Sequence, residues 1–120
     1  MKSMEIQILS EKMNMDEVKE LAKHWYGMMI KGCVDVETGR VAIGGDYHME
    51  SCELLCQNGS QPNNVWGFNI RFEEDPKGVL EFDSLVNIKP ALENRSRALE
   101  NAEIIAKAEL MIKSVIQFYV

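Results

Sequence analysis

Two alternating stretches joined by a short turn set the first limit on what this chain can fold into. In residues 65–72, Phe68, Ile70 and Phe72 fall on one side of an extended strand, with Asn69 and Arg71 on the other. Residues 73–78 (EEDPKG) read as a turn punctuated by Pro76 and Gly78. Residues 79–89 then return as a strand with Leu80, Phe82, Val86 and Ile88 inward, and Glu81, Asp83, Asn87 and Lys89 outward; Pro90 ends it. A sheet with one apolar face must be covered. The C-terminal stretch supplies a cover: Asn101 caps a predicted helix over residues 102–118. Its stripe is Ile104, Ala108, Met111, Val115 and Tyr119, widened by Ile105, Ile112 and Ile116.

The remaining chain supplies matching elements. Residues 4–9 (MEIQIL) alternate as a first strand, with Met4, Ile6 and Ile8 on one side. Asn14 opens a helix in capping-box fashion, with Asp16 in the first turn and Glu17 three residues on. Met15, Val18, Leu21, Ala22, Trp25 and Tyr26 recur at helical spacing until Gly27 stops them. Residues 29–36 and 40–43 form a hairpin around Glu37-Thr38-Gly39. Gly44-Gly45 ends it, and residues 46–57 read as a second helix, with Asp46 or His48 near its N-cap and Asn58-Gly59 beyond its end. Residues 60–64 (SQPNN) are loop, and residues 91–100 a polar connection. The predicted order is β-α-β-β-α-β-β-α. It implies an α+β fold: a single two-layer domain over residues 1–120, with a largely antiparallel sheet of about five strands and helices packed on it. A chain of this length buries roughly two-thirds of its unfolded surface, enough for a core without metals or disulfides.

Charge narrows the partners. With 13 Lys+Arg against 19 Asp+Glu, the formal charge of −6 counts against nucleic-acid or anionic-membrane binding through a basic surface. No run approaches the ~18 apolar residues of a membrane span, and residues 1–9 hold no apolar run long enough to lead one to expect a secretory signal. Three cysteines, Cys33, Cys52 and Cys56, cannot all pair within one chain, so a reduced, cytoplasmic setting is expected, with no cofactor and no metal. Eight methionines suit an adaptable core or a sticky surface. A homo-oligomer stays open.

Some groupings could carry chemistry. His48, Cys52 and Cys56 stack at four-residue intervals on one helix, but eight residues of helix rise about 12 Å, too far for all three to share one zinc ion. Both cysteines also suit small buried hydrophobes beside Met49 and Leu55. Gly44-Gly45 before a helix N-terminus could free backbone N–H groups for an anion, although neither the dinucleotide fingerprint nor the P-loop is present. Alternatively Asp46 caps the helix and Glu50 favours its positive end. The polar strand face of Glu81, Asp83, Asn87 and Lys89, followed by Asn94-Arg95-Ser96-Arg97, is the best functional candidate. Arginines in such a loop can grip phosphate or carboxylate bidentately, or pair internally with Glu81, Asp83 or Glu93. A cross-strand Arg71–Glu81 pair accounts for part of the face. No serine-hydrolase elbow is present.

Several of these residues form a pattern. Gly44-Gly45-Asp46-x-His48, Trp66-Gly67-x-Asn69, and Glu81-Phe82-Asp83-Ser84 leading to Asn87-Ile88-Lys89-Pro90 and Asn94-Arg95-Ser96-Arg97 resemble a family of short prokaryotic proteins, domain of unknown function 5674. The resemblance spans residues 34–103, and the stretch from Glu81 to Arg97 is its specific part. Against that pattern, Cys52 stands where an acidic residue is usual and Cys56 where an aliphatic one is, which weakens a zinc site. Lys89 replaces a commoner arginine and Ala102 a frequent proline. The resemblance implies fold boundaries and carries no activity.

Two functions from different classes follow. One is a binding or regulatory domain whose candidate site, His48, Glu81, Asp83, Asn87, Arg95 and Arg97, gathers on one side of the sheet and holds a small anionic ligand or a protein partner. The other is a small hydrolase or nuclease using Asp46, His48, Glu81 and Asp83. An enzyme needs these groups around one pocket, with reacting atoms within reach.

Overall fold

The structure is a computed structural model and describes residues 6–25, 27–73, 75 and 77–118. In chain order these hold β1 (Gln7–Ile8), β2 (Met13–Asn14), α1 (Met15–Ala22), β3 (Met29–Asp35), β4 (Val41–Ile43), α2 (His48–Gln57), β5 (Val65–Arg71), β6 (Val79–Glu81), α3 (Ala102–Val115) and β7 (Ile116–Gln117). Short 3-10 turns occupy Pro62–Asn64, Leu85–Asn87 and Pro90–Leu92. Apart from the two-residue β2 and β7, the order is the predicted one. Five of the described strands form one antiparallel sheet in the order β1-β4-β3-β5-β6, while β2 and β7 pair in parallel beside it. The α+β class and the antiparallel sheet are as the sequence implies.

Strand alternation divides the interior. Ile30 and Val34 of β3, Val41 and Ile43 of β4, and Trp66, Phe68 and Ile70 of β5 all point toward α1 and α3. There they meet Met15, Val18, Ala108 and Ile112, all fully buried. This packing of sheet against two helices is the main core, and each large side chain in it contributes about 1.5–3 kcal/mol by leaving water. The alternate positions Cys33, Ala42 and Val65 face the other way, onto Cys52 and Leu55 of α2 and onto Val86. Helix α2 therefore covers one end of the opposite face. Further along that face, Met29, Lys31, Asn69, Arg71 and Glu81 border open space.

Helix starts follow their capping chemistry. Asn14 Oδ1 accepts from Glu17 N at 2.8 Å, and Glu17 Oε1 accepts from Asn14 N at 3.0 Å, which is the predicted box. Asn101 caps α3 by accepting from Ile104 N. At the start of α2 the N-cap is Tyr47, and Glu50 reaches back to accept from Asp46 N at 2.7 Å and Tyr47 N at 3.0 Å. Those N–H groups are thus committed to a carboxylate of the chain itself. Gly44 and Gly45 make the turn into this helix with φ of 113° and 97°, a left-handed region other residues rarely adopt.

Several predicted boundaries move. Helix α1 ends at Ala22 and tightens into turns, with His24 N bonding Leu21 O and Trp25 N bonding Ala22 O. Helix α3 stops at Val115, because Ile116 and Gln117 extend to pair with Met13 and Asn14. Met4, Tyr26, Pro76 and Tyr119 lie outside the described residues.

The largest correction concerns the return strand, which leaves β5 after Glu81. Residues beyond it pair instead with the later loop: Ser84 N bonds Arg97 O at 3.1 Å, Leu99 N bonds Phe82 O at 3.2 Å, and Asp83 bridges Ala98. Ser84 Oγ then accepts from Val86 N and starts the 3-10 turn Leu85–Asn87. This reverses the predicted facing at two positions: Ile88 is 42% exposed, and Asn87 is fully buried, whereas Val86 is buried and Leu80 and Phe82 pack against the core.

Candidate functional site

Antiparallel register lays the floor of a cleft. Lys31 of β3 is opposite Asn69 of β5, which is opposite Glu81 of β6, so a cation, an amide and a carboxylate form one row across three strands. Met29 and Arg71 form the next row. Tyr47, His48 and Met49 at the start of α2 wall one side, and the segment from Asp83 to Val86 with Arg97 walls the other. The volume of this open cleft is about 600 Å³.

Asn69 organises the floor. Its amide nitrogen donates to Glu81 Oε1 at 3.0 Å and to the Asp83 carbonyl at 3.1 Å. Both partners accept only, so the amide oxygen must turn toward His48, whose Nε2 stands 2.8 Å from it and 3.0 Å from the Phe68 carbonyl. With two oxygens facing Nε2, that nitrogen carries the proton, and Nδ1 keeps the lone pair of the neutral ring. Burial holds the His48 pKa below its ordinary value, against the opposing pull of the Asn69 and Phe68 hydrogen bonds. His48 is therefore a neutral imidazole at pH 7.

Glu81 Oε1 also receives Arg71 Nη1 at 3.3 Å, the predicted cross-strand pair, while Arg71 holds Glu73 at 2.6 Å with its other arm. Lys31 Nζ donates to Asp46 O at 2.7 Å and lies 5.7 Å from the Tyr47 ring centroid. Arg97 and Asp83 face each other across the wall, with Nε 2.9 Å from Oδ1. That oxygen is shielded from solvent, yet the N–H vector does not point at it, so the contact is an ion pair without an aligned hydrogen bond.

Behind the cleft, buried asparagines do the work of a missing strand. Asn87 Oδ1 accepts from Gly67 N at 2.7 Å, and its Nδ2 donates to Gly67 O and Arg97 O at 3.1 Å each. Asn94 donates to Asn87 O, Ser96 O and Ala98 O, and accepts from Glu100 N. Gly67 is required by close approach: a Cβ there would stand 2.6 Å from Ser84 Oγ and 3.3 Å from His48 Cδ2.

The profile of a protein family of unknown function, DUF5674, matches residues 7–115. The chain belongs to that family. No curated protein and no solved structure matches it. In this DUF5674 protein the quoted residue groups have physical tasks: the glycine pair turns the chain into α2 so that His48 meets β5, Gly67 admits the Ser84 segment, and Asn87 and Asn94 set the loop that presents Arg97.

Of the six candidate site residues, His48, Glu81, Asp83 and Arg97 line the one cleft. Asn87 is beneath it as a support, and Arg95 is exposed and outside the lining. Asp46 is also outside the lining. Lys31, Asn69 and Arg71 join the cleft through strand pairing, and Tyr47 and Met49 through the packing of α2 on the sheet, neither of which a local pattern carries. The helical Cys52 and Cys56 belong to the smaller apolar cluster with Cys33, and His48 turns from them toward β5. Among the described residues no three His, Cys, Asp or Glu side chains are grouped to hold a metal ion.

Proposed function

We propose that this domain is a small-molecule binding module, and that its cleft receives a compact organic ligand bearing an anionic group. Its volume of about 600 Å³ falls within the range of ordinary ligand pockets, roughly 300–1,000 Å³. Three cations, Lys31, Arg71 and Arg97, line it against two carboxylates, Glu81 and Asp83, giving a local balance of +1 in a chain of net −6. Arg97 carries the proposal: among the described residues it makes one off-axis ion pair and no side-chain hydrogen bond, so its guanidinium keeps donors for a carboxylate or phosphate. Met29, Met49 and Leu85 offer an adaptable apolar wall beside them.

A hydrolase or nuclease using Asp46, His48, Glu81 and Asp83 is less well supported. Asp46 is off the cleft, Ser84 is 2% exposed with its hydroxyl engaged by Val86 N, and the His48 Nε2 proton is committed to Phe68 and Asn69. No described helix is long and apolar enough to cross a membrane, and a cytoplasmic site of action accords with unpaired thiols.

The test is thermal denaturation with a panel of small carboxylates and phosphates, comparing wild type with Arg97→Ala. A ligand at one hundred times its Kd stabilises by about 2.7 kcal/mol, roughly 10 °C for a domain of this size. Hits in wild type that vanish in a normally folded Arg97→Ala variant are the expected result. A panel without hits, or hits indifferent to Arg97, would count against the proposal.

A further inference from the structure

The Asp83–Arg97 pair narrows the ligand's chemistry, given the cleft function just proposed. Asp83 Oδ1 is cut off from water and has Arg97 Nε 2.9 Å away but misaligned. A carboxylate oxygen in that position still lacks a donor along its lone pair, which is a standing cost. A purely anionic ligand makes this worse. It draws the guanidinium toward itself and leaves the shielded Oδ1 of the half-exposed Asp83 side chain with still weaker compensation. A purely cationic ligand has the converse defect, since it satisfies Asp83 and displaces Arg97 into competition with it.

A ligand with both charges a few Å apart removes the conflict. Its anion takes the unused guanidinium donors, and its cation supplies Asp83 with the aligned donor that Arg97 does not. An ammonium has three N–H groups to place. Glu81, in the same lining, offers a second carboxylate, and the one lysine among the described lining residues, Lys31, donates to Asp46 O. Apolar surface lies beside the charged pair: Met29 on β3, Met49 on α2, Leu85 on the opposite wall and the Tyr47 ring at the rim. Of these, Tyr47 is 69% and Leu85 72% exposed, so they have surface left to bury.

We infer that the cleft binds a zwitterion of the free α-amino-acid type, its carboxylate on Arg97, its ammonium on Asp83, and an apolar or aromatic side chain over Met29, Met49 and Leu85. Thioethers adapt to several shapes, so side-chain preference is broad among leucine, methionine and phenylalanine, whereas the demand for both backbone charges is strict.

Isothermal titration of the full chain at pH 7 separates the possibilities. The probes are L-leucine, L-methionine and L-phenylalanine, the des-amino analogue 4-methylpentanoate, and the des-carboxy analogue isoamylamine. The amino acids are expected to bind at least tenfold more tightly than either analogue. In Asp83→Asn the preference should invert, 4-methylpentanoate gaining on leucine, because the negative charge that faces the ammonium is gone and Arg97 is released. Thermal melts of that variant check its fold, and the wild-type comparison stands without it. If 4-methylpentanoate binds wild type as tightly as leucine, the zwitterion is wrong and the anionic site survives. If isoamylamine alone binds, or nothing in the panel does, the zwitterion falls; the amine result also overturns the anionic site.

Discussion

Replacing Asn87 tests how the cleft is built. Its side chain is fully buried and makes three hydrogen bonds, to Gly67 N, Gly67 O and Arg97 O. The Arg97 carbonyl keeps Ser84 N as a donor, so in Asn87→Ala the damage falls mainly on Gly67. An orphaned buried donor costs about 1–3 kcal/mol, and the lost acceptor contact and the small void add to it. A total of about 3 kcal/mol is expected. With a urea m-value of about 1.5 kcal/mol/M, the unfolding midpoint falls by about 2 M. Asn87→Asp should be worse at pH 7: one oxygen still accepts from Gly67 N, but the other faces two carbonyls and buries a charge. Its deficit should shrink as pH falls, because a protonated carboxyl can donate to one of those carbonyls. A loss below 1 kcal/mol in Asn87→Ala, or an Asn87→Asp variant as stable as wild type at pH 7, would refute this account of the loop.

Further outcomes follow from burial and charge. The His48 pKa lies below its ordinary value, so the unfolded chain binds more protons; the contribution is complete above about pH 6.5 and is lost as pH falls through the folded pKa. An NMR titration should place the His48 midpoint below 6.5, and His48→Gln should flatten stability across that window; a midpoint above 6.5 would contradict the neutral ring. Burial pushes Cys33 up to about 12 and Cys52 to about 11, so a thiol reagent at pH 8 should label the half-buried Cys56 first and the others only on unfolding; rapid labelling of all three would contradict this. Ile112→Ala, in the fully buried seam of α3, should cost about 2–5 kcal/mol in urea unfolding, and a near-neutral result would mean α3 is not packed as described.

The elements legible in the sequence are those where pattern and packing agree. Alternation in residues 65–72 is enough to place Phe68 and Ile70 inside and Asn69 and Arg71 on the other face. Asn14 and Asn101 announce their helices because a cap is a local bond. The return strand misleads for a physical reason: in an alternating pattern Asn87 looks solvent-facing, yet a buried asparagine can replace two rungs of a ladder, and nothing in the alternation distinguishes the two. Ser84 carries the one local signal, a hydroxyl placed to accept from Val86 N and open the 3-10 turn. Likewise His48, Asp83 and Arg97 are visible as chemistry, whereas Lys31 and Arg71 become cleft residues only once β3 is known to lie between β4 and β5.

The central claim, that the sheet face beside α2 is a ligand cleft using Arg97, is tested most directly by mapping binding on the backbone. Two-dimensional 15N–1H spectra of wild type and Arg97→Ala should be recorded against a set of small carboxylates, phosphates and apolar amino acids. The account predicts saturable shifts confined to Lys31, Tyr47, His48, Asn69, Glu81, Asp83 and Arg97, and their loss in an Arg97→Ala variant whose unliganded spectrum is otherwise preserved. Saturable shifts centred on the far face, around Trp66 and Glu93, or shifts at the cleft that persist without Arg97, would contradict it.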